Sequence, residues 1–243
     1  MKTEDDILKD KVISIIKSTT FWTYFIWTIF VLSLIPLIII AKYNHGYVDD
    51  YWYGYWTHKA WKENHSIIAV IKAIGETVRH EYIRWQGTYS AIAVFSLQPG
   101  IWNEEAYFLS TYILLGIFIC CTYYSIRKLF FSFFMTTEKE VFLLIGVLLL
   151  LSVQLMPYPV QGIFWWNGSS YYLIFYCLML LQIINLMVGL KENRLTFHQT
   201  IGAILLGVIG GGGNYVTSLL LTEIVFVLFV YSLISRKQRI KFF

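Results

Sequence analysis

Charge is what this sequence has least of. Only 14% of its 243 residues are Asp, Glu, Lys or Arg, against roughly 25% in an ordinary soluble domain. That shortage argues against a chain that folds in water with a solvated surface. Cysteine is also scarce. Cys120, Cys121 and Cys177 all fall inside apolar runs with no CxxC spacing, so neither a zinc site nor a disulfide framework is indicated. They read as small packing residues. No soluble domain, internal repeat or low-complexity linker is expected. The net charge of +4 is not the signature of a nucleic-acid binder, because the basic residues sit in short clusters between apolar runs.

What is present is apolar and aromatic. The hydrophobic fraction is 57%, aromatics make up 19%, and there are 18 Tyr, 18 Phe and 9 Trp. Mean hydropathy is +0.59. Tyr and Trp favour the membrane–water boundary, where an amphipathic ring meets both phases. A helix crosses the hydrocarbon core with about 20 apolar residues. Candidate segments are 21–41, 106–126, 140–156, 170–190 and 214–234. Two weaker ones follow: 87–102, interrupted by Gln98-Pro99-Gly100, and 198–212, which ends in the run Gly210 to Gly213. Each is a short span, a broken helix or a re-entrant segment. The run from Phe21 to Ala41 is too long for a signal h-region and has no small-residue cleavage site after it, so a retained first span is expected. The composition predicts an all-α, polytopic transmembrane helix bundle of about six to seven hydrophobic segments. Residues 1–243 form a single transmembrane domain in this reading.

Lys and Arg set the expected orientation. Lys2, Lys9, Lys11 and Lys17 precede the first span; Arg127, Lys128 and Lys139 lie at 127–139; Lys191 and Arg194 follow the fourth; Arg236, Lys237, Arg239 and Lys241 form the tail. Connections 98–105, 157–169 and 211–214 carry no Lys or Arg. The positive-inside rule places the basic clusters and the N-terminus in the cytoplasm. Segment 87–102 then dips in without crossing. The rival, a true crossing there, puts three basic clusters outside. Residues 42–86 are expected to be an outer loop holding an interfacial amphipathic helix, with Ile67, Ile71, Ile74, Val78 and Tyr82 as its apolar stripe and Lys72, Glu76, Arg79 and His80 off it. Residues 1–20 are expected to form a cytoplasmic amphipathic segment, with Leu8, Val12, Ile15 and Ile16 as its apolar face.

On that topology the polar-aromatic motifs converge on the outer side: Asp49 to Trp56, Arg84 to Tyr89, Gln98 to Gly100, Trp165 to Tyr172 and Gly213 to Tyr215. They suit a sugar or lipid-linked sugar, because aromatic rings stack on apolar sugar faces while carboxylates and amides hold hydroxyls. An interfacial aromatic belt is the plainer alternative. Asp49 and Asp50 are candidates for a general base or for ligands of a divalent cation, Mg or Mn, that neutralises a leaving phosphate. A solvated or helix-capping pair is the other reading. The planar fork of Arg84 suits a phosphate, or a lipid headgroup. His58 and His80 are weaker candidates. Glu223 falls mid-span, where a carboxylate is costly and marks a functional or hydrogen-bonded group. Asn167-Gly168 starts a span, with Ser169 or Ser170 as caps.

The order Asp49-Asp50-Tyr51 after a first span, Trp85-Gln86-Gly87, Trp165 to Tyr172 and Gly211 to Asn214 resembles membrane glycosyltransferases of the GT-C type. It is closest to uncharacterised bacterial polytopic families with that fold. The resemblance spans roughly residues 20–234. It implies transfer of a sugar from a polyprenyl-phosphate donor to a glycan or lipid acceptor on the outer face of a bacterial cell membrane, in envelope polysaccharide assembly. Asp49 or Asp50 would be the base or metal ligand and Arg84 the phosphate contact, because the W-x-G motif continues with Thr88 where Arg is usual. Trp52, Trp85, Trp166 and Asn167 would line the site, with Asn214 and Glu223 as further polar groups. The alternative is a transporter or flippase component, or a non-enzymatic assembly subunit with a membrane partner; Glu223 and the glycine run fit that class.

Overall fold

The computed structural model describes residue 14 and residues 16–234. Most of the amphipathic segment expected over 1–20, and the basic tail from Arg236, lie outside the described residues. The architecture is all-helical. Helices α1 (Thr19–Ala41), α2 (Asp49–Asn64), α3 (Ile67–Arg84) and α4 (Tyr89–Phe95) lead through two 3-10 turns, Pro99–Ile101 and Glu104–Phe108, into α5 (Leu109–Phe133). Then come α6 (Glu138–Gln154), a π turn at Val160–Phe164, α7 (Trp166–Glu192), α8 (Phe197–Gly211) and α9 (Tyr215–Ile234).

Among the described residues, four helical stretches are long and apolar enough to cross a membrane: Thr19–Ala41, Glu104–Phe133, Trp166–Glu192 and Tyr215–Ile234. Six or seven segments are expected from the sequence, and four meet both criteria. The weaker segment 87–102 yields only the seven-residue α4. At 1.5 Å per residue it rises about 10 Å, a third of the hydrocarbon thickness. Segment 198–212 yields α8, an apolar helix of 15 residues. Among the four long helices, α1 and α9 bury only 11% and 6% of their most apolar window within the protein. Their side chains need an apolar medium around them.

Contacts divide the chain into two compact units. The first comprises residues up to Ile39 and Thr122–Pro157. There Trp27 stacks on Phe142 with ring centroids 4.5 Å apart and donates its indole N–H to the Phe142 carbonyl at 3.0 Å. Gly146 makes room for that indole: a Cβ there would lie 2.8 Å from its nitrogen. A capping box between Thr137 and Glu140 starts α6, satisfying N–H groups that a helix start leaves orphaned.

The second unit comprises Ile40–Cys121 and residues from Tyr158 onward. Its core gathers Tyr53 from α2, Ala91, Ile92 and Phe95 from α4, and Phe175 from α7. A second cluster joins Tyr107, Leu114 and Trp166. The glycine run ends α8 in a turn packed under aromatic rings. Gly212 lies against Tyr89 and Gly213 against Phe175 with no room for a Cβ. The Gly212 carbonyl accepts the N–H groups of Ser90 at 2.8 Å and Ala91 at 3.1 Å. The turn after α8 thus joins the start of α4 to the approach to α9.

Residues 42–86 differ from the expected loop with one interfacial helix. They form a helical hairpin, α2 and α3, turned at His65 in the left-handed conformation (φ 45°) and restarted by Ser66, whose side chain caps α3. The face of α3 packed inward is Val70, Ala73, Thr77 and Glu81. Small side chains at this spacing let α2 approach closely. Most of the expected apolar stripe is uncovered, with Ile67, Ile71 and Tyr82 all exposed.

Candidate functional site

Two adjacent aspartates open α2, and the fold treats them differently. Asp49 is exposed and Asp50 is fully buried. The Asp50 carboxylate is bonded on every side. Oδ2 accepts the Tyr47 N–H at 3.0 Å and the Tyr107 hydroxyl, and Oδ1 accepts the Asn167 N–H at 3.1 Å. The Tyr107 oxygen in turn accepts the Trp166 N–H at 2.9 Å. These N–H groups belong to the first turn of α7, which has no intrahelical acceptor and carries the positive end of the helix dipole. Asp50 and Tyr107 thus cap α7 from a distance in sequence. Ser169 and Ser170, expected to cap it, do not: Ser169 donates to the Gln161 carbonyl at 2.9 Å, and the Ser170 hydroxyl has no partner.

Burial pushes the Asp50 carboxyl up from 3.8 to about 6. The Tyr107 hydroxyl and the Tyr47 and Asn167 N–H groups pull it down by favouring the charged form, while the Asp49 charge adds to the rise. Just upstream, Val48 has φ 44° and ψ −105°. A β-branched residue is strained at positive φ, and the surrounding bonds hold it there.

Asp50 contributes to the wall of a cavity of about 290 Å³ with His58, Gln98, Glu104 and Tyr107. Gln98 donates to the Asp50 carbonyl at 2.7 Å, leaving its own Oε1 buried without a partner. His58 Nδ1 lies 2.9 Å from the Ile101 carbonyl. Gly54 leaves room for the Gln98 amide beside α2.

Across α2 lies a larger cleft of about 840 Å³, between α2 and α3. Tyr51, Trp52, Tyr55 and Trp56 form one wall and Glu76, Thr77, His80 and Glu81 the other, with Val48 at the rim. Tyr51 and Tyr55 line both cavities. Glu81 is 6% exposed. Its Oε1 accepts the Trp52 indole N–H at 3.3 Å and lies 3.1 Å from His80 Nδ1.

The sequence candidates therefore scatter. Asp50, Trp166 and Asn167 come together, but Trp166 and Asn167 are buried at 5% and 4% exposure. The Trp166 indole N–H is spent on the Val94 carbonyl at 2.9 Å. Both polar side-chain atoms of Asn167 are buried without partners. Trp52 lines the larger cleft. Arg84 and Trp85 are exposed at the end of α3 and line neither cavity. Asn214 caps α9, its Oδ1 accepting the Val216 N–H at 2.9 Å. Glu223 is exposed on α9 rather than held by a neighbouring helix.

A divalent cation does not fit the aspartate pair. Both Asp50 oxygens already accept protein hydrogen bonds, and Asp49 is exposed. No group of three or more His, Cys, Asp and Glu suited to holding a metal occurs among the described residues.

Tyr107 and Glu81 were not singled out by the sequence, whereas Gln98 entered only as part of the Gln98 to Gly100 motif. For Glu81 a signal existed: positions 70, 73, 77 and 81 repeat at helical spacing as a second, small-residue stripe beside the isoleucines. Tyr107 carried none. No protein-family model, curated protein or solved structure matches the chain.

Proposed function

We propose that this chain is a GT-C-like glycosyltransferase of the bacterial cell envelope, using a polyprenyl-phosphate-linked sugar on the outer face of the membrane. The observation that carries the reading is Asp50, a carboxyl raised to about 6 in the wall of a polar cavity that adjoins an aromatic cleft. A base whose pKa lies near the working pH combines a useful ionised fraction with proton affinity. Asp50 accepts the proton of the acceptor hydroxyl as that oxygen bonds to the anomeric carbon. The bond from that carbon to the phosphate oxygen breaks, and polyprenyl phosphate leaves with the electron pair. Tyr107 holds the carboxylate in place, Tyr51 and Tyr55 stack on the sugar, and Gln98 and His58 hold hydroxyls. Asp49 takes no part in the chemistry.

The basic clusters put the N-terminus in the cytoplasm and the start of α2 outside. A seven-residue helix such as α4, too short to cross, keeps residues 42–105 on one side. With the basic 191–198 connection and the tail both inside, α8 and α9 would make a return pair in this topology.

A second reading is favoured by one observation: all the Asp50 bonds are internal and the carboxylate is closed to solvent. On that reading Asp50 is purely a cap, and the chain is a non-enzymatic subunit whose uncovered α1 and α9 pack on a membrane partner. The transporter alternative gains less. Ring packing accounts for Gly212 and Gly213, and Glu223 lines neither cavity.

The test is mass spectrometry of polyprenyl-linked sugars and envelope glycans in a deletion strain complemented with wild type, Asp49→Asn or Asp50→Asn at matched membrane levels. Transferase function predicts product from wild type and Asp49→Asn, and a loss of at least about 100-fold for Asp50→Asn. Full product from Asp50→Asn, with an unchanged melting temperature, would overturn it in favour of the cap.

A further inference from the structure

The cleft between α2 and α3 is not accounted for by the transferase reading, and its chemistry is lopsided. Two carboxylates, Glu76 and Glu81, face it together with four aromatic rings, and no Lys or Arg lines it. Both protein contacts of Glu81 fall on Oε1, from Trp52 and His80. Oε2 accepts no hydrogen bond from the protein. Glu81 is 6% exposed, and its unbonded oxygen is not fully enclosed but opens onto the cleft, where a ligand's donor or positive charge can meet it in place of water. Low-dielectric aromatic walls around two acids also concentrate negative potential inside the cleft.

The rings have the geometry a cation uses. Tyr55 and Trp56 meet at 80° with centroids 4.9 Å apart, forming a corner of two aromatic planes. The Trp56 ring already attracts a cation, since Lys59 Nζ lies 5.7 Å from its centroid. The Trp52 indole is fixed by its bond to Glu81. An ammonium group draws on ring quadrupoles and on carboxylates at once. A neutral sugar would bring no positive charge to the two acids, and a phosphate would be repelled by both.

We propose that the α2–α3 cleft is a binding site for an organic cation, an alkylammonium group held by Tyr55, Trp56 and Glu81. A volume of about 840 Å³ falls in the range of small-molecule sites. The cation is either a free amine or the ammonium end of a zwitterionic lipid. The uncovered isoleucine face of α3 would bring the latter within reach. The proposal is independent of whether Asp50 catalyses transfer.

The experiment uses the full chain purified in a neutral maltoside detergent, titrated calorimetrically with choline chloride. The comparison probe is 3,3-dimethyl-1-butanol, the neutral isostere of choline. Saturable choline binding is expected, at least about tenfold tighter than the isostere, with Glu81→Gln and Trp56→Ala each weakening choline about tenfold. Glu81→Gln keeps a carbonyl oxygen for the Trp52 N–H, and Trp56 is exposed, so both variants should melt as wild type does. Repeating the titration in nanodiscs separates the sources. Loss of the choline isotherm in phosphatidylcholine discs, with retention in phosphatidylglycerol discs, identifies a lipid headgroup; retention in both identifies a free amine. Equal binding of the isostere, no dependence on Glu81, or no saturable choline binding in detergent would overturn the site.

Discussion

The two sides of α2 each hold a buried carboxylate, and the two are satisfied to different degrees. On one side Asp50 accepts hydrogen bonds on both oxygens from Tyr47, Tyr107 and Asn167 and is closed to solvent. On the other side Glu81 offers one oxygen to Trp52 and His80 and leaves the second to the cleft. Their partners differ as well. Those of Asp50 are backbone N–H groups and a buried hydroxyl, which have nowhere else to turn. Trp52 is 65% exposed and can bond to water. The contrast separates a carboxylate with both oxygens bonded to the protein from one with an oxygen left to its cleft. It also explains how one helix can have a rigid side and a receptive side.

The comparison breaks most visibly if both carboxylates are truncated. Asp50→Ala strands three donors, one of them the Asn167 N–H at the start of α7. At roughly 1–3 kcal/mol for each unsatisfied group, it should cost about 4 kcal/mol and markedly lower the melting temperature in detergent. Glu81→Ala should cost only about 1 kcal/mol, because water replaces the lost acceptor. Equal losses would erase the distinction.

Acidity sharpens it. The Asp50 carboxyl lies near 6 in the folded state against 3.8 in the unfolded chain. Between those values the folded state holds a proton that the unfolded state has released. Stability from this group is therefore full below about pH 4, falls as pH rises to about 6, and is level above. The change is on the order of 2–3 kcal/mol. Unfolding measured from pH 4 to pH 7 should show that fall in wild type and lose it in Asp50→Asn. A wild-type profile that Asp50→Asn leaves intact would assign the slope to other groups.

A smaller effect tests the link between the two elements. Tyr107→Phe removes a donor to Asp50 and the acceptor of the Trp166 N–H. It should cost about 2 kcal/mol and move the upper end of the pH profile to higher pH, since that hydroxyl favours the charged carboxylate. The smallest change is Val48→Gly. It relieves a positive φ at the rim shared with the cleft and should stabilise the protein by about 1 kcal/mol. A loss of stability there would mean that Val48 packing outweighs its strain.

Much of the helical framework was legible because it follows from local composition. The apolar runs at 21–41, 106–126, 170–190 and 214–234 became α1, α5, α7 and α9 with ends shifted by a few residues. The hairpin was harder to read. The segment from Asp49 to Asn64 mixes aromatic and polar residues around the whole helix, so no stripe marks it. On α3 the isoleucines outweigh the Val70–Glu81 face by hydrophobicity, although that smaller face is the one packed against α2. Arg84 and Trp85 were selected by motif alone, and motif position does not say which cavity, if any, a side chain reaches.

By itself, then, the sequence determined that the chain forms long apolar helices and that an acidic, aromatic segment follows the first of them. Both are properties of residue type and local spacing. Which aspartate is buried was decided only by tertiary structure. Asp50 meets Asn167 across 117 positions of chain, and its bonds exist because α7 begins where α2 begins. The unbonded oxygen of Glu81 has the same origin, since it depends on how α2 and α3 face each other. Hydrogen-bond satisfaction is a property of three-dimensional neighbours, and two adjacent aspartates with identical chemistry acquire different roles only when one of them is given donors to hold.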